Sequence, residues 1–291
     1  MKLAVVGGLT LDLLDDRPVV GGPPWYAGTA AHAFGARVSL YSAVGEDFLP
    51  IHFRVLEEAE LNHSNVVRHL GQRTYCFKPT FTKQGRRMKL VARGPDIKPE
   101  NLENLNADAV IVSPVFKEVE ERHLEKIRAQ MLAVDLQGFL REVDAEGNIS
   151  LRPKQLDKIL KIADLIHCSE EEALALFSAD SLMNAASAFS RKGVKLCLVG
   201  ARDGLYLIEG SQVCFIKPSR FENVVDTTGA GDILTGAFTA LILSGLSAEQ
   251  SAAEALAAVM LSLKNPPPKR VPEKLDTTQL SCRVVWRKSV H

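Results

Sequence analysis

From Asp226 the sequence reads Asp-Thr-Thr-Gly-Ala-Gly-Asp, preceded by Val224-Val225 and followed by the apolar helical pattern Ile233 to Leu241. That is a loop running into a helix N-terminus. Gly229, Ala230 and Gly231 carry little bulk, so consecutive backbone N–H groups can turn toward one point, where the helix dipole adds partial positive charge. Such a loop holds an anion. Asp232 ends it, and a carboxylate there would repel the anion that the amides attract. Phosphoryl transfer resolves the conflict: the amides take the charge developing on the transferred group, while the carboxylate accepts the proton of the attacking hydroxyl. The helix N-terminus is expected to favour the ionised form of Asp232, making it a base at neutral pH. The structural alternative is an aspartate that only caps its helix, and glycine spacing alone does not separate the two.

Other phosphate motifs are absent. There is no G-x-x-x-x-G-K-[ST], and neither Gly7-Gly8 nor Gly229-Ala230-Gly231 continues into G-x-G-x-x-G.

The elements that must position this loop are short apolar runs: Lys2 to Val6, Ala109 to Val112, Leu132 to Val134, Leu165 to His167 and Leu196 to Val199. Helix-like stretches separate the later ones, at Glu120 to Arg128, Leu156 to Ala163 and Ala185 to Lys192. Strands alternating with helices argue for a mainly parallel sheet covered on both faces. Thr74 to Thr82 and Met88 to Val91, joined through Gly85, predict a hairpin. With an extended segment around Leu11 to Val20 it reads either as a small β lid, from about 11–24 and 73–93, on a single domain spanning 1–291, or as an ordinary surface loop. Gly21-Gly22-Pro23-Pro24 suits a hinge between lid and body. Ala248 to Lys264 predicts a helix stopped by Asn265-Pro266-Pro267-Pro268, and from Lys269 on the chain reads as polar and irregular.

Bulk properties narrow the function further. The 291 residues are 46% apolar, enough for a sizeable core, and 35 basic side chains balance 35 acidic ones. Neither nucleic acid nor an anionic membrane is favoured as a partner; a small, locally recognised molecule is. The opening run, Leu3 to Val6, is too short for a signal peptide or a membrane span. Five scattered cysteines without a C-x-x-C pair read as reduced thiols, so a cytoplasmic location is expected.

The run Asp226 to Asp232 resembles the C-terminal signature of the PfkB-type, ribokinase-like carbohydrate kinases. Asp12 falls where that family places an aspartate binding acceptor hydroxyls, and Gly21-Gly22 resembles its double glycine at the lid hinge. Gly45-Glu46-Asp47 resembles a G-x-D after the second strand, Ser169 to Glu172 the N-x-x-E motif, and Gly200 with Gly204 a glycine pair beside the nucleotide. The resemblance implies an α/β, ribokinase-like three-layer sandwich: a central mainly parallel sheet between helices, under a small β lid. It implies ATP held near residues 200–265, with Ser169, Gly200, Gly204, Thr228, Gly229 and Gly231 at the nucleotide. Asp232 would be the base, with Gly229, Ala230 and Gly231 stabilising charge, and Glu172 would hold Mg²⁺ through water.

The sequence also departs from the family pattern. Tyr26, beside Trp25, replaces an asparagine of the acceptor pocket, and Ser169 replaces that of N-x-x-E. Tyr26 could stack on a ring or serve lid packing. Val134-Asp135-Leu136-Gln137-Gly138-Phe139-Leu140-Arg141, with Ser113-Pro114-Val115 and Glu118-Val119, resembles the branch associated with myo-inositol kinases. The acceptor expected is therefore a polyol such as myo-inositol, touched by Asp12, Gly22, Tyr26, Gln137, Arg141 and Asp232. The basic run Arg86-Arg87-Met88-Lys89, with Arg93, admits a phosphorylated sugar or a solvated hairpin tip. Nucleosides remain open, as does a non-catalytic sensor of polyol and nucleotide. So does a monovalent cation behind the anion loop, because Asn265 to Lys269 does not match the usual cation-binding loop. A homodimer through the lid edge is the one protein partner suggested.

Overall fold

The computed structural model describes residues 1–82, 85–103, 105–220, 226–271 and 275–290, with side chains excepted at 80–82 and 85–87. In chain order the strands begin with β1 (Lys2–Val6), β2 (Thr10–Leu14), β3 (Arg17–Gly21), β4 (Arg37–Gly45) and β5 (Asn62–His69). Next come β6 (Cys76–Thr82), β7 (Gly85–Ala92), β8 (Ala109–Val112), β9 (Met131–Asp135), β10 (Arg141–Val143) and β11 (Ile149–Leu151). The last are β12 (Leu165–Ser169), β13 (Leu196–Ala201), β14 (Gly204–Glu209), β15 (Gln212–Pro218) and β16 (Cys282–Ser289). The helices are α1 (Pro23–Ala33), α2 (Pro50–Glu58), α3 (Glu121–Leu124), α4 (Gln137–Leu140) and α5 (Asp157–Ile162). They continue with α6 (Glu170–Phe177), α7 (Leu182–Arg191), α8 (Ala230–Leu243) and α9 (Ala248–Ser262).

Among the described residues, one sheet of ten strands runs β16-β15-β14-β13-β12-β9-β8-β1-β4-β5. From β13 to β5 every pairing is parallel, and β14, β15 and β16 add an antiparallel flank. Strand β1 shows why the sheet needs two covers. Leu3 and Val5 feed a core shared with α1, α8 and α9, whereas Ala4 and Val6 feed the opposite core with α5 and α7. Side chains of a strand alternate faces, so an all-apolar strand must be buried twice. The result is the expected α/β three-layer sandwich with small β sheets outside it.

The chain leaves β1 toward β4 and β5, then returns to β8 on β1's other side and continues outward through β9 and β12. The order of strands thus reverses at β1, where open α/β sheets form their ligand crevice at the carboxyl ends of the strands.

Two hairpins cap that end, and a third, β10 with β11, adjoins β7 through a Lys89–Asn148 bridge. β6 pairs with β7, as the sequence suggests; its Lys83-Gln84 turn lies outside the described residues, as do the side chains of Arg86 and Arg87. The stretch expected as one extended segment from Leu11 to Val20 is instead a second hairpin, β2 with β3. Its turn residues Asp15 and Asp16 have φ of 48° and 59°, and a two-residue hairpin turn needs such left-handed backbone. Leu11 N donates to Tyr75 O at 2.8 Å, joining the two hairpins. The base of the lid is fixed by Asp47, whose Oδ1 accepts from Thr74 N and Oγ1 at 2.7 and 2.6 Å. The Gly45-Glu46-Asp47 motif therefore holds lid to body.

Two further expectations are corrected. Glu120 to Arg128 contains only the single turn α3, where the His123 ring accepts the Glu120 N–H at 2.9 Å. The tail is not irregular: β16 pairs antiparallel with β15. Cys282, Val284 and Trp286 are half-buried while Arg283, Val285 and Arg287 are exposed, so an edge strand rich in basic residues reads as polar sequence.

Candidate active site

A cavity of 270 Å³ opens where the lid meets the sheet. The lid and its junction contribute Thr10, Asp12, Gly22, Phe77 and Met88; β9 reaches it with Asp135 and β12 with His167 and Ser169; and Thr227 to Asp232 close it. Most site residues expected from sequence meet here: Asp12, Gly22, Tyr26, Gln137, Arg141, Ser169, Glu172 and Thr228 to Asp232 all line it. Gly200 and Gly204 do not. Gly200 lies behind His167, where an added Cβ would reach Nε2 at 4.0 Å, and Gly204 packs under the Phe215 ring.

The anion loop is shaped from both sides. Gly229 caps α8 with φ of 77°, and an added Cβ there would meet the Tyr26 ring at 2.6 Å. At Gly231 it would meet His167 Cε1, also at 2.6 Å. Glycine is thus required twice, once by backbone and ring together and once by an imidazole. Tyr26 is buried in the first turn of α1 against the loop. Asp226 Oδ1 accepts from Thr228 N and Oγ1 at 2.8 and 2.7 Å, setting the turn into Gly229. Of the expected cradle, the Ala230 N–H is already committed, donating to Thr227 O at 3.1 Å. The N–H groups of Gly231 and Asp232 belong to the first helical turn, which has no acceptors within the helix.

Asp232 projects from that turn. Its Oδ1 lies 3.4 Å from Ser113 Oγ and 3.5 Å from Gln137 Nε2, both at the outer limit of hydrogen bonding. Arg141 decides how Gln137 is turned: Nη2 donates to Gln137 Oε1 at 2.8 Å, leaving the NH₂ end for Asp232. Nη1 donates to Val115 O at 2.9 Å and immobilises the guanidinium.

The electrostatics overturn one expectation. Asp232 is not held ionised by its helix; burial, then the charge of Asp135, push its pKa up to about 7, against the opposing pull of His167, Arg141 and Ser113. Desolvation and a like charge here exceed the helix dipole. Glu172 is raised for the same two reasons. Its Oε2 accepts the Ser169 N–H at 2.8 Å, so residues 169 and 172 form a capping box on α6.

Sequence reasoning missed His167 and gave Asp135 no role. His167 Nδ1 lies 2.6 Å from Asp135 Oδ2, both buried. Burial lowers the imidazole pKa, but the charge and hydrogen bond of Asp135, with Glu172 and Asp232 nearby, raise it overall. Asp135 Oδ1 also accepts the Gln137 N–H at 2.8 Å. The available signal was a histidine ending one predicted strand and an aspartate directly after another. Glu118, noted from sequence only by resemblance, is a buried brace whose carboxylate accepts the N–H groups of Gly8, Val115 and Phe116. Asp12 is buried in β2, and its Oδ1 lies 3.4 Å from Phe77 N, bridging the two hairpins.

This arrangement can hold an anion at Gly231 and Asp232 and take a proton beside it. Comparison with known proteins points the same way. A family model described as pfkB family carbohydrate kinase matches residues 19–270. A cytidine kinase of Thermococcus kodakarensis is 27% identical over 251 residues, 82% of this chain and 88% of that protein. Among solved structures, a pyrophosphate-dependent kinase of the ribokinase family, complexed with a pyrophosphate analog and myo-inositol, superposes with a TM-score of 0.81. It is 20% identical, covering 93% of this chain and 98% of that one. An Arabidopsis thaliana ribokinase complexed with ribose and ATP superposes with a TM-score of 0.70 at 19% identity, covering 95% and 96%.

Proposed function

Because this chain belongs to the pfkB family of carbohydrate kinases, we propose that it transfers a phosphoryl group from ATP to a hydroxyl of a small polyol, myo-inositol being the best-supported acceptor. One observation carries the reading: Asp232 stands in the same cavity as the lid carboxylate Asp12, one residue beyond the anion-binding glycine Gly231. The acceptor hydroxyl lies between the two carboxylates. Asp232 takes its proton as the oxygen attacks, Gln137 and Ser113 hold that carboxylate, and the first-turn N–H groups of α8 meet the charge on the transferred group. A pKa near the operating pH suits a group that must both take and release a proton.

Mg²⁺ supplies charge neutralisation on the donor phosphates when bound. Glu172, whose side chain lines the cavity, is the residue that would hold it, through water.

Myo-inositol is favoured by the Gln137–Arg141 pair, which presents a fixed amide to the pocket, and by a cavity with room for a single ring. The cytidine kinase similarity supports a nucleoside as the second reading, and the pyrophosphate-dependent neighbour makes pyrophosphate the donor to set against ATP. Under this proposal the enzyme works in the cytoplasm, and a second copy would pair through the lid.

The test is phosphorylated product from purified protein with ATP or pyrophosphate, against myo-inositol, cytidine, ribose, fructose and sugar phosphates, with Asp232→Asn as control. Turnover of myo-inositol, lost in the control, is expected. Turnover of cytidine alone would replace the acceptor. Donor binding without turnover on any acceptor would favour a non-catalytic sensor.

A further inference from the structure

Behind the anion loop, outside the cavity, lies a buried arginine. Arg270 is 1% exposed, and its Nη2 stands 3.0 Å from Asp226 Oδ2. The contact is ionic, without the alignment of a hydrogen bond. Asp226 is the residue whose other oxygen sets the turn into Gly229, so each oxygen of that carboxylate has a partner: Thr228 on one, the guanidinium on the other.

The arginine is itself held in place. Its Nη1 donates to Asn265 O at 3.0 Å, and Asn265 Nδ2 returns a bond to Arg270 O at 2.8 Å. Trp25 Nε1 donates to Pro268 O at 2.9 Å, tying the segment to α1. The next residue of that helix, Tyr26, supplies the ring beneath Gly229. One helix thus fixes both the arginine segment and the loop it supports.

A monovalent cation at this carboxylate does not fit. Such an ion needs oxygen ligands, and the obvious one, Asp226, already faces a positive group at contact distance. A guanidinium cannot lose its proton in a protein, so its charge is permanent.

We infer that Arg270 is a built-in cation for the anion loop, taking the place of an exchangeable monovalent ion, so that anion binding at Gly229 to Asp232 needs neither K⁺ nor Na⁺. The inference rests on the kinase reading of that loop. Arg270 is a positioning residue: it touches Asp226 and reaches the anion only through the turn that Asp226 sets.

The test is calorimetric titration of the full-length protein with pyrophosphate and with ATP, in buffers whose only monovalent cation is N-methylglucamine, then with K⁺ or Na⁺ added. Wild-type affinity is expected to be the same in all three. Arg270→Ala should weaken binding by about tenfold or more, with part regained on adding K⁺ or guanidinium, as for a lost charge-assisted contact. Should that variant fail to fold, Asp226→Asn with Arg270→Met removes both charges together and should bind weakly in every salt. Wild-type binding that strengthens severalfold with K⁺ or Na⁺ would overturn the inference while leaving the kinase reading intact. Absence of anion binding in every salt would overturn both.

Discussion

Asp135 Oδ2 and His167 Nδ1 stand 2.6 Å apart at paired positions of two neighbouring parallel strands, directly under the loop that carries Asp232. Three ionisable groups therefore share one buried space, and the charge of Asp135 raises the pKa of both His167 and Asp232. The imidazole is the only one of the three that can offset the two carboxylates.

If Asp232 is the base, Asp232→Asn should lower kcat by about a hundredfold or more. Donor affinity should hold within a few fold, since the loop amides remain. Steady-state kinetics with a separate calorimetric Kd for the donor checks both halves.

The pH profile follows from the raised pKa of Asp232, about 7. The base is protonated below that value, so kcat/KM should fall as pH drops through it. Stability runs the other way. The folded state holds this proton more tightly than the unfolded chain, so the contribution of Asp232 is full below the ordinary carboxylate range and is lost as pH rises through about 7. Asp232→Asn should therefore melt higher than wild type at pH 8 and not at pH 4. Equal melting shifts at both pH values would count against the raised pKa.

His167 lowers the pKa of Asp232 by its charge, and Arg141 does the same more weakly. His167→Gln should move the acid limb of the rate profile to higher pH while leaving the alkaline plateau. An unmoved limb with uniformly lower activity would mark the histidine as packing alone.

Asp12→Ala should raise the acceptor KM by about tenfold, as expected for a lost charge-assisted hydrogen bond, and leave the donor Kd alone. Kinetics at saturating donor separates the two, and a changed donor Kd would remove Asp12 from the acceptor side.

Gly229→Ala introduces a methyl against the Tyr26 ring at a φ of 77°. Backbone strain alone is worth about 1 kcal/mol, and the ring contact adds to it. The variant should melt lower and bind pyrophosphate less tightly, and calorimetry reports both.

The sequence carried the site unevenly, for physical reasons. The loop from Asp226 to Asp232 was legible because its chemistry is local: glycines, a helix start and a carboxylate lie within seven residues. The parallel strands were legible because burial on both faces leaves unbroken apolar runs. His167 was not, since a histidine gains its role from Asp135, thirty-two positions away and one strand over. Arg270 fell in a tail that looked uninformative, and nothing local says that its charge is buried against Asp226. Strand β16 hid for the opposite reason, wearing solvent-facing basic residues on an edge. The base's own pKa was misjudged because a helix terminus can be seen in sequence and the desolvation that outweighs it cannot.

Gly236 of α8 lies so close to Ala27 O of α1 that any side chain there would strike the backbone, so the two helices meet without an intervening layer. One carries Tyr26 from the first tenth of the chain, and the other carries Asp232 from the last quarter. Everything that would grip an acceptor from the lid is made early in synthesis, yet the cavity has no far wall until the ribosome has released α8. A nascent chain therefore cannot hold its ligands, and ligand cannot assist folding until α8 has docked on α1. A break in the chain anywhere between the two helices leaves both halves without a site unless they find each other again through this contact.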